Sequence, residues 1–382
     1  MSANIGYVTG TGTAASLDNP LVKILWSDQL HKETMSEMFF DKRGMMAPEK
    51  GDEAAFDRKS NAPIIVKDDF TRERGQRIRL ALRKQLVTNR NLAQGTRQTN
   101  LVTATYGPNT MVGNEETMEL YDMEVIVELL KHAVAFDTPE IQNLRTNFRM
   151  DQQAKEALGD WLTDQKEESV IDSFVDGNAA HVIKSQSTVP STAHPNKHNG
   201  NGVDSDGDIT ASETLDTAEL RRMYAWARTN NINPLRADGV EGYVLLAPVF
   251  AINDLLGDAV FRSSFENAAP RSESNTLFSR ADHKFEGIYI HEYNRIRQPS
   301  TGANMASVHY CMLMGASALV FGNAGKPRLV RRKEDEYEDR YGVGIKLVFG
   351  CARADFDNAA NDIDPHHNQS SAMWALWSST TI

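Results

Sequence analysis

The stretch that most constrains this chain is residues 113–177, GNEETMELYDMEVIVELLKHAVAFDTPEIQNLRTNFRMDQQAKEALGDWLTDQKEESVIDSFVDG. Its first part predicts a strand. Met123, Val125, Val127 and Leu129 alternate with Glu124, Ile126 and Glu128, and a period of two sends neighbouring side chains to opposite faces. Its last part predicts a long helix: Ala154, Leu158, Trp161 and Leu162 recur at i, i+4, i+7 and i+8, Asp151 stands near the start, and Gly177 closes it. At about 100° per residue, the later apolar set Val170, Ile171, Phe174 and Val175 points roughly the opposite way. A helix that changes its buried face midway packs against one body at one end and another at the other. That suits a strut within an assembly better than a wall of a catalytic cleft.

A second pattern precedes it. In Arg77-Ile78-Arg79-Leu80-Ala81-Leu82-Arg83 the apolar residues take the even positions and arginine takes three of the four odd ones, which predicts a strand with one apolar and one basic face. Residues 67–97 carry nine Lys/Arg against three Asp/Glu, whereas residues 113–177 carry sixteen Asp/Glu against five Lys/Arg. Two strands of opposite face charge joined by the polar residues 89–114 form an extended hairpin arm. Two accounts of the opposed charge stay open. Arg77, Arg79 and Arg83 pair across strands with Glu119, Glu124 or Glu128, at about 0.2–1 kcal/mol each. Alternatively the basic face lies over the acidic helix of a neighbouring copy, where Glu156, Asp160, Asp164, Glu167 and Glu168 would receive it. Screening weakens isolated exposed pairs, so such docking sets register more than affinity.

This strand, the GNEE turn and the helix with its Ala-Leu-Gly-Asp-Trp-Leu core resemble the major capsid proteins of tailed bacteriophages, which share the Hong Kong 97-like coat fold. Further blocks stand in that family's order: NPLVKILWSDQLHKETMSEMFF (19–40), GQRIRLALRKQL (75–86), FEGIYIHEYNRI (285–296), and MLMGASALVFG (312–322) leading to DEYEDRYGVGIKLVFGCARADF (335–356). The resemblance implies an α+β fold with an N-terminal arm (1–18), an N-terminal helix and linker (19–61), an extended two-strand loop (62–117) and a peripheral domain with a long spine helix (118–177). A polar loop or insertion (178–213), a central or axial domain (214–297), a buried helix with return strands (298–357) and a C-terminal tail (358–382) complete the expected order. In such a fold an extended loop does lie over the next subunit's long helix. The implied function is structural and not enzymatic: pentamers and hexamers of an icosahedral shell around double-stranded DNA, with no cofactor. The implied partners are further copies of the chain, then portal, scaffold and decoration proteins. The expected place is the virion capsid after synthesis in a host bacterial cytoplasm.

The totals agree with that class. A chain of 382 residues can bury a large core and allows two or three lobes. There is no apolar run of 18 residues, and the start lacks the basic and apolar regions of a signal peptide, so no membrane association is expected. Two cysteines, Cys311 and Cys351, fit a reducing compartment and are too few for a disulfide framework or a Cys-based zinc site. A net charge of −11 and a pI near 5.4 argue against a protein whose main task is gripping nucleic acid. An acidic wall that does not bind packed DNA and simple solubility both account for the sign.

Further along, helices are expected over 19–40, 217–230 and 249–256, and strands over 64–66, 243–248, 286–295 and 343–349. Residues 305–321 are apolar on nearly all sides and predict a buried helix. Residues 178–214 predict an insertion or surface loop. The tail ends in Met373-Trp374-Ala375-Leu376-Trp377, whose tryptophans are expected to be exposed and to dock onto something.

Motifs for chemistry are sparse. Asp204, Asp206 and Asp208 alternate as calcium ligands can, and this loop carries the alternative readings of a metal-dependent hydrolase or a calcium-stabilised adhesion module. EF-hand spacing fails, since glycine is fourth and Leu215 stands at position twelve, and a solvated turn is the stronger reading. His194 and His198 read as surface histidines. Cys311, beside His309 and Tyr310, reads as a buried structural thiol. The glycine-rich GYVTGTG (6–12) lacks the flanking strand and helix start that a phosphate cradle needs.

Overall fold

The computed structural model describes residues 20–48, 61–67, 77–83, 120–137, 150–176, 197–202, 206–229, 232–237, 240–268, 283–296, 307–323, 325–331, 340–354 and 371–378. The helices are α1 (Pro20–Glu37), α2 (Phe39–Lys42), α3 (Met150–Asp176), α4 (Thr217–Thr229), α5 (Val249–Gly257) and α6 (Ala259–Ala268). The strands begin with β1 (Met46–Pro48), β2 (Ile64–Lys67), β3 (Arg77–Arg83), β4 (Leu120–Ile126), β5 (Glu128–Asp137), β6 (Lys197–Asn199), β7 (Leu235–Ala237) and β8 (Val240–Ala247). They continue with β9 (His283–Phe285), β10 (Ile288–Glu292), β11 (Val308–Met314), β12 (Leu319–Asn323), β13 (Arg328–Arg331), β14 (Arg340–Arg353) and β15 (Ser371–Trp377). The α+β class follows directly from this content.

The chain divides into two units, one of Met1–Glu37, Leu129–Asp164 and Gly325–Val348, the other of Met38–Glu128, Gln165–Ala324 and Phe349–Ile382. The long helix is shared between them, residues 150–164 belonging to the first and 165–176 to the second. This is the outcome its sequence foretells. In the first part Ala154, Leu158 and Leu162 are buried; in the second Val170, Ile171, Phe174 and Val175 are buried.

In the first unit, β14 lies between β13 and β5. Its alternating Val343, Ile345 and Leu347 are buried while Lys346 is exposed, the period-two signature of a one-sided sheet. His132 of β5 stacks on Trp161 of α3 with ring centroids 4.2 Å apart. Gly159 lets α1 approach, since a Cβ there would sit 3.3 Å from the Leu30 side chain.

The second unit is organised on a seven-stranded sheet in the order β6-β15-β11-β8-β10-β9, with β7 also on β8. Its core joins Tyr243, Leu245, Cys311, Leu313, Trp374 and Leu376 to Leu220 and Met223 of α4 and Ile252 and Leu255 of α5. A second sheet in this unit sets β2 parallel to β12 and β12 antiparallel to the last part of β14. The C-terminal carbonyls of α3 are satisfied by Arg353, whose Nη1 donates to the oxygens of Phe174 (2.7 Å) and Val175 (3.2 Å), as helix ends require.

Four expectations are corrected. Residues 307–321, the described part of the expected helix 305–321, are not an α-helix. They form β11, the start of β12 and the turn between them, where Ser317 takes a positive φ of 58°. Both strands are buried on both faces, so no alternation marked them, and the Met and Leu of β11 with the Ala of the turn are good helix formers. The described end of the tail is not exposed: β15 is an interior strand between β6 and β11, and Trp374 is 1% exposed. The polar segment 178–214 is not all loop, because 197–199 pair in parallel with 373–375. Finally, the alternation that opens at Met123 slips at Val127. Val125, Val127 and Leu130 are buried and Leu129 is 51% exposed. Gly350 permits this crossing, since a Cβ there would lie 2.2 Å from the Ile126 carbonyl oxygen.

If β15 is a core strand, Trp374→Ala is expected to cost about 3–5 kcal/mol of stability, as large-to-small changes of a buried tryptophan do. Trp377→Ala, at a half-buried site, should cost under about 1 kcal/mol. Denaturation curves of the two variants check this; equal small losses would contradict it.

Candidate assembly surface

The acidic residues singled out on α3 do not share one environment. Glu156, Asp160 and Asp164 are exposed and stand at i, i+4 and i+8, which on a helix makes one row turned away from buried Leu158 and Leu162. Trp161 is half-buried beside that row, one ring face covered by His132. Glu168 is half-buried and accepts from Gln165 Nε2 at 3.1 Å.

Glu167 is a correction. It is 7% exposed and is used inside its own unit. Its carboxylate accepts from the Phe39 backbone N–H at 2.6 Å and lies 3.4 Å from the Tyr293 hydroxyl and 3.5 Å from Arg295 Nη1. The Phe39 and Tyr293 rings also pack at a tilt, with centroids 4.8 Å apart. A carboxylate held this way anchors the start of α2 against α3 and is withdrawn from any neighbour. The sequence signal for it was weak, since an i+3 step from Asp164 looks the same whether the side chain points in or out.

On the basic side, β3 and β4 pair antiparallel, with Arg79 opposite Glu124, Arg77 opposite Ile126, Ala81 opposite Asp122 and Arg83 opposite Leu120. β3 and β4 therefore form a two-stranded pair in which Arg79 alone of the three arginines has an acidic residue directly opposite. Glu119 lies outside the described residues. Glu128 opens β5 and is not opposite any of the three arginines.

The remaining candidates are placed as follows. Asp208 is exposed in a 3₁₀ turn shared with Asp206, Asp204 lies outside the described residues, and no metal-holding group of His, Cys, Asp and Glu occurs among the described residues. His194 lies outside them as well. His198 is no surface histidine. It sits in β6 with its ring 4.6 Å from Trp374 and 4.7 Å from Trp226, and burial depresses its pKa. Near it, burial raises the Glu219 carboxyl against the pull of Arg222 at 2.9 Å. His309, fully buried, is depressed by burial too. Cys311 and Cys351 are free thiols that burial pushes up to about 12, and this makes them structural rather than reactive. No helix among the described residues is long and apolar enough to cross a membrane.

Comparisons with known proteins place the chain in a family. A profile of a family described as phage capsid protein matches residues 13–366. The major capsid protein of Pseudomonas phage KPP25 is 25% identical over 291 residues, spanning 67% of this chain and 75% of that protein. Among solved structures, the fold is similar to the capsid of Ralstonia phage GP4 (TM-score 0.68, 17% identity, 97% of this chain and 100% of that one). It is also similar to the capsid of cyanophage Pam1 (TM-score 0.65, 20% identity, 85% and 91%).

The histidines give the second unit a pH dependence. Unfolded, both titrate near 6.5; folded, both lie lower, so the unfolded chain binds protons that the folded one does not. Their contribution is full above about pH 6.5 and is lost as pH falls through the folded values. Glu219 acts in the opposite sense, adding stability as it protonates on the acid side. The melting temperature is therefore expected to fall from about pH 7.5 to about pH 6, and His198→Phe should flatten that slope. An unchanged slope would contradict the assignment.

Proposed function

This chain belongs to the phage capsid protein family and is a structural subunit of a phage shell, and we propose that, as the major capsid protein of a tailed phage, it closes with copies of itself into pentamers and hexamers around double-stranded DNA. The observation that carries the reading is the family match over residues 13–366, nearly the whole chain, to proteins whose work is assembly. The metal-dependent hydrolase and the calcium-stabilised module are not favoured beside it. The fold is read as the Hong Kong 97-like coat, with 1–18 as arm, 62–117 as extended loop, 118–177 as peripheral domain and 214–297 as central domain. Synthesis in the host cytoplasm, and association with portal, scaffold or decoration proteins, belong to the same reading.

Assembly here is geometry and electrostatics. The basic positions of β3 (Arg77, Arg79, Arg83) lie over the exposed row Glu156, Asp160 and Asp164 of a neighbour's α3, with Glu168 at its margin. Glu167 takes no part, since its own unit uses it. Each such exposed pair contributes little alone, about 0.2–1 kcal/mol, and the row sets the register at which two copies meet. The cross-strand pairing of Arg79 with Glu124 is compatible with this, because a sheet face can hold one partner within the arm and another above it.

The test is charge reversal. Arg77→Glu with Arg79→Glu and Arg83→Glu should leave a folded single chain by circular dichroism and cut shell yield in light scattering. Adding Glu156→Lys, Asp160→Lys and Asp164→Lys should restore part of that yield. Shells at ordinary yield from the triple arginine variant would remove the docking.

A further inference from the structure

Among the described residues, the open face of the first unit's sheet carries a row of cations with no acidic side chain in the rows beside it. In β13 and β14, Arg328 stands opposite Lys346 and Val330 opposite Gly344. On the other side of β14, a Cβ at Gly344 would touch the Ala133 Cβ at 3.3 Å, and one at Gly350 would meet residues 126 and 127. Partner numbers thus rise along β14 as they fall along β5, so the two run antiparallel and Lys131 falls beside Lys346. Alternation then puts three rows on one face: Leu129 with Val348, then Lys131-Lys346-Arg328, then Ala133-Gly344-Val330. Leu129 is 51% and Val330 38% exposed, and Lys131, Ala133, Arg328 and Lys346 are exposed. No residue of these rows is acidic. The opposite face is the one covered by α3, through the His132–Trp161 stack.

Three cations on adjacent strands lie about 5 Å apart, and like charges directly opposite one another destabilise a sheet. Cations on sheet edges can serve to block stray strand pairing. That explains Arg328 on its edge strand but not Lys346, which is on the middle one. In a chain of net charge −11 the row is an exception. Its apolar flanks favour a protein segment over a bare phosphate chain, because exposed apolar groups rimmed by charge mark protein contacts.

We propose that this face docks the acidic run 334–339, Glu-Asp-Glu-Tyr-Glu-Asp, of a second copy of the chain. The run lies outside the described residues, between β13, which ends at 331, and β14, which starts at 340. It offers five carboxylates to the three cations and a tyrosine to the apolar rows. Patch and run occur together in every copy, so the contact is head-to-tail and repeats around a ring or across a shell. The proposal rests on the self-association reading above and not on where the arm docks.

The test uses the full chain. Copies with ¹⁴N and ¹⁵N are mixed, assembled, and treated with a carbodiimide, which joins an amine and a carboxylate only when they touch. The expected result is mass-spectrometric cross-links from Lys131 or Lys346 to residues 334–339 that combine both isotopes. Particles that cross-link elsewhere but not here, or here only within one isotope, overturn this inference and leave self-association standing. A chain that stays single on mixing overturns both. In parallel, the combined Lys131→Glu, Arg328→Glu and Lys346→Glu variant should lose shell yield, and reversing all five acids of 334–339 to Lys in the same chain should restore it. Wild-type yield and stability with altered retention of DNA would assign the face to nucleic acid and overturn the proposal.

Discussion

The rest of the structure depends on a change of phase in one helix. Over 27 residues α3 buries Ala154, Leu158 and Leu162 on one side, then Val170, Ile171, Phe174 and Val175 on another. Apolar burial is roughly proportional to area, so each set needs its own body to cover it. The two compact units supply those bodies, and the division falls at 164/165, between the two sets. The second half of the helix is then tied down by polar contacts. Glu167 holds the start of α2, Ser173 Oγ donates to the Cys351 carbonyl at 2.9 Å, and Arg353 closes the C-terminal carbonyls. The first half keeps its acidic row exposed. One element thereby serves both as core and as surface.

Charge follows the same economy of parts. The acids of 113–177 split between those used within the subunit, such as Glu167, and those turned outward. The cations split likewise: Arg353 is buried at a helix end, whereas Lys131, Lys346 and Arg328 form a row on an open sheet face. A shell subunit needs both kinds, because its fold must hold alone while its surfaces remain incomplete until copies meet. Buried thiols, buried His309 and half-buried His198 against two tryptophans fit that picture as parts of a packed interior.

Much of this was legible in the residues. Asp151 and Gly177 bracket α3 to within a residue, the arginine alternation marks β3, and Val343, Ile345, Leu347 and Phe349 mark the buried face of β14. The failures share one cause. Where a strand is buried on both faces, alternation vanishes, and the residues then speak only through propensity. β8, rich in valine and leucine beside a tyrosine, still read as a strand; β11 and the following turn, rich in Met, Ala and Leu, read as helix. β15 read as an exposed tail because its partners, β11 and β6, are remote in sequence. The slip at Val127 depended on Gly350, more than two hundred residues away, and nothing local announces it. The assembly surface was read as one acidic face, and the structure resolves it residue by residue, removing Glu167 and keeping Glu156, Asp160 and Asp164 exposed.

The central claim is that the outer face of α3 is covered when copies of the chain meet. Trp161, half-buried and next to Asp160 in that row, is a natural reporter. Hydroxyl-radical footprinting of the single chain and of the assembled shell compares its oxidation directly. The account predicts strong protection of Trp161 in the shell; equal oxidation in both states would contradict it.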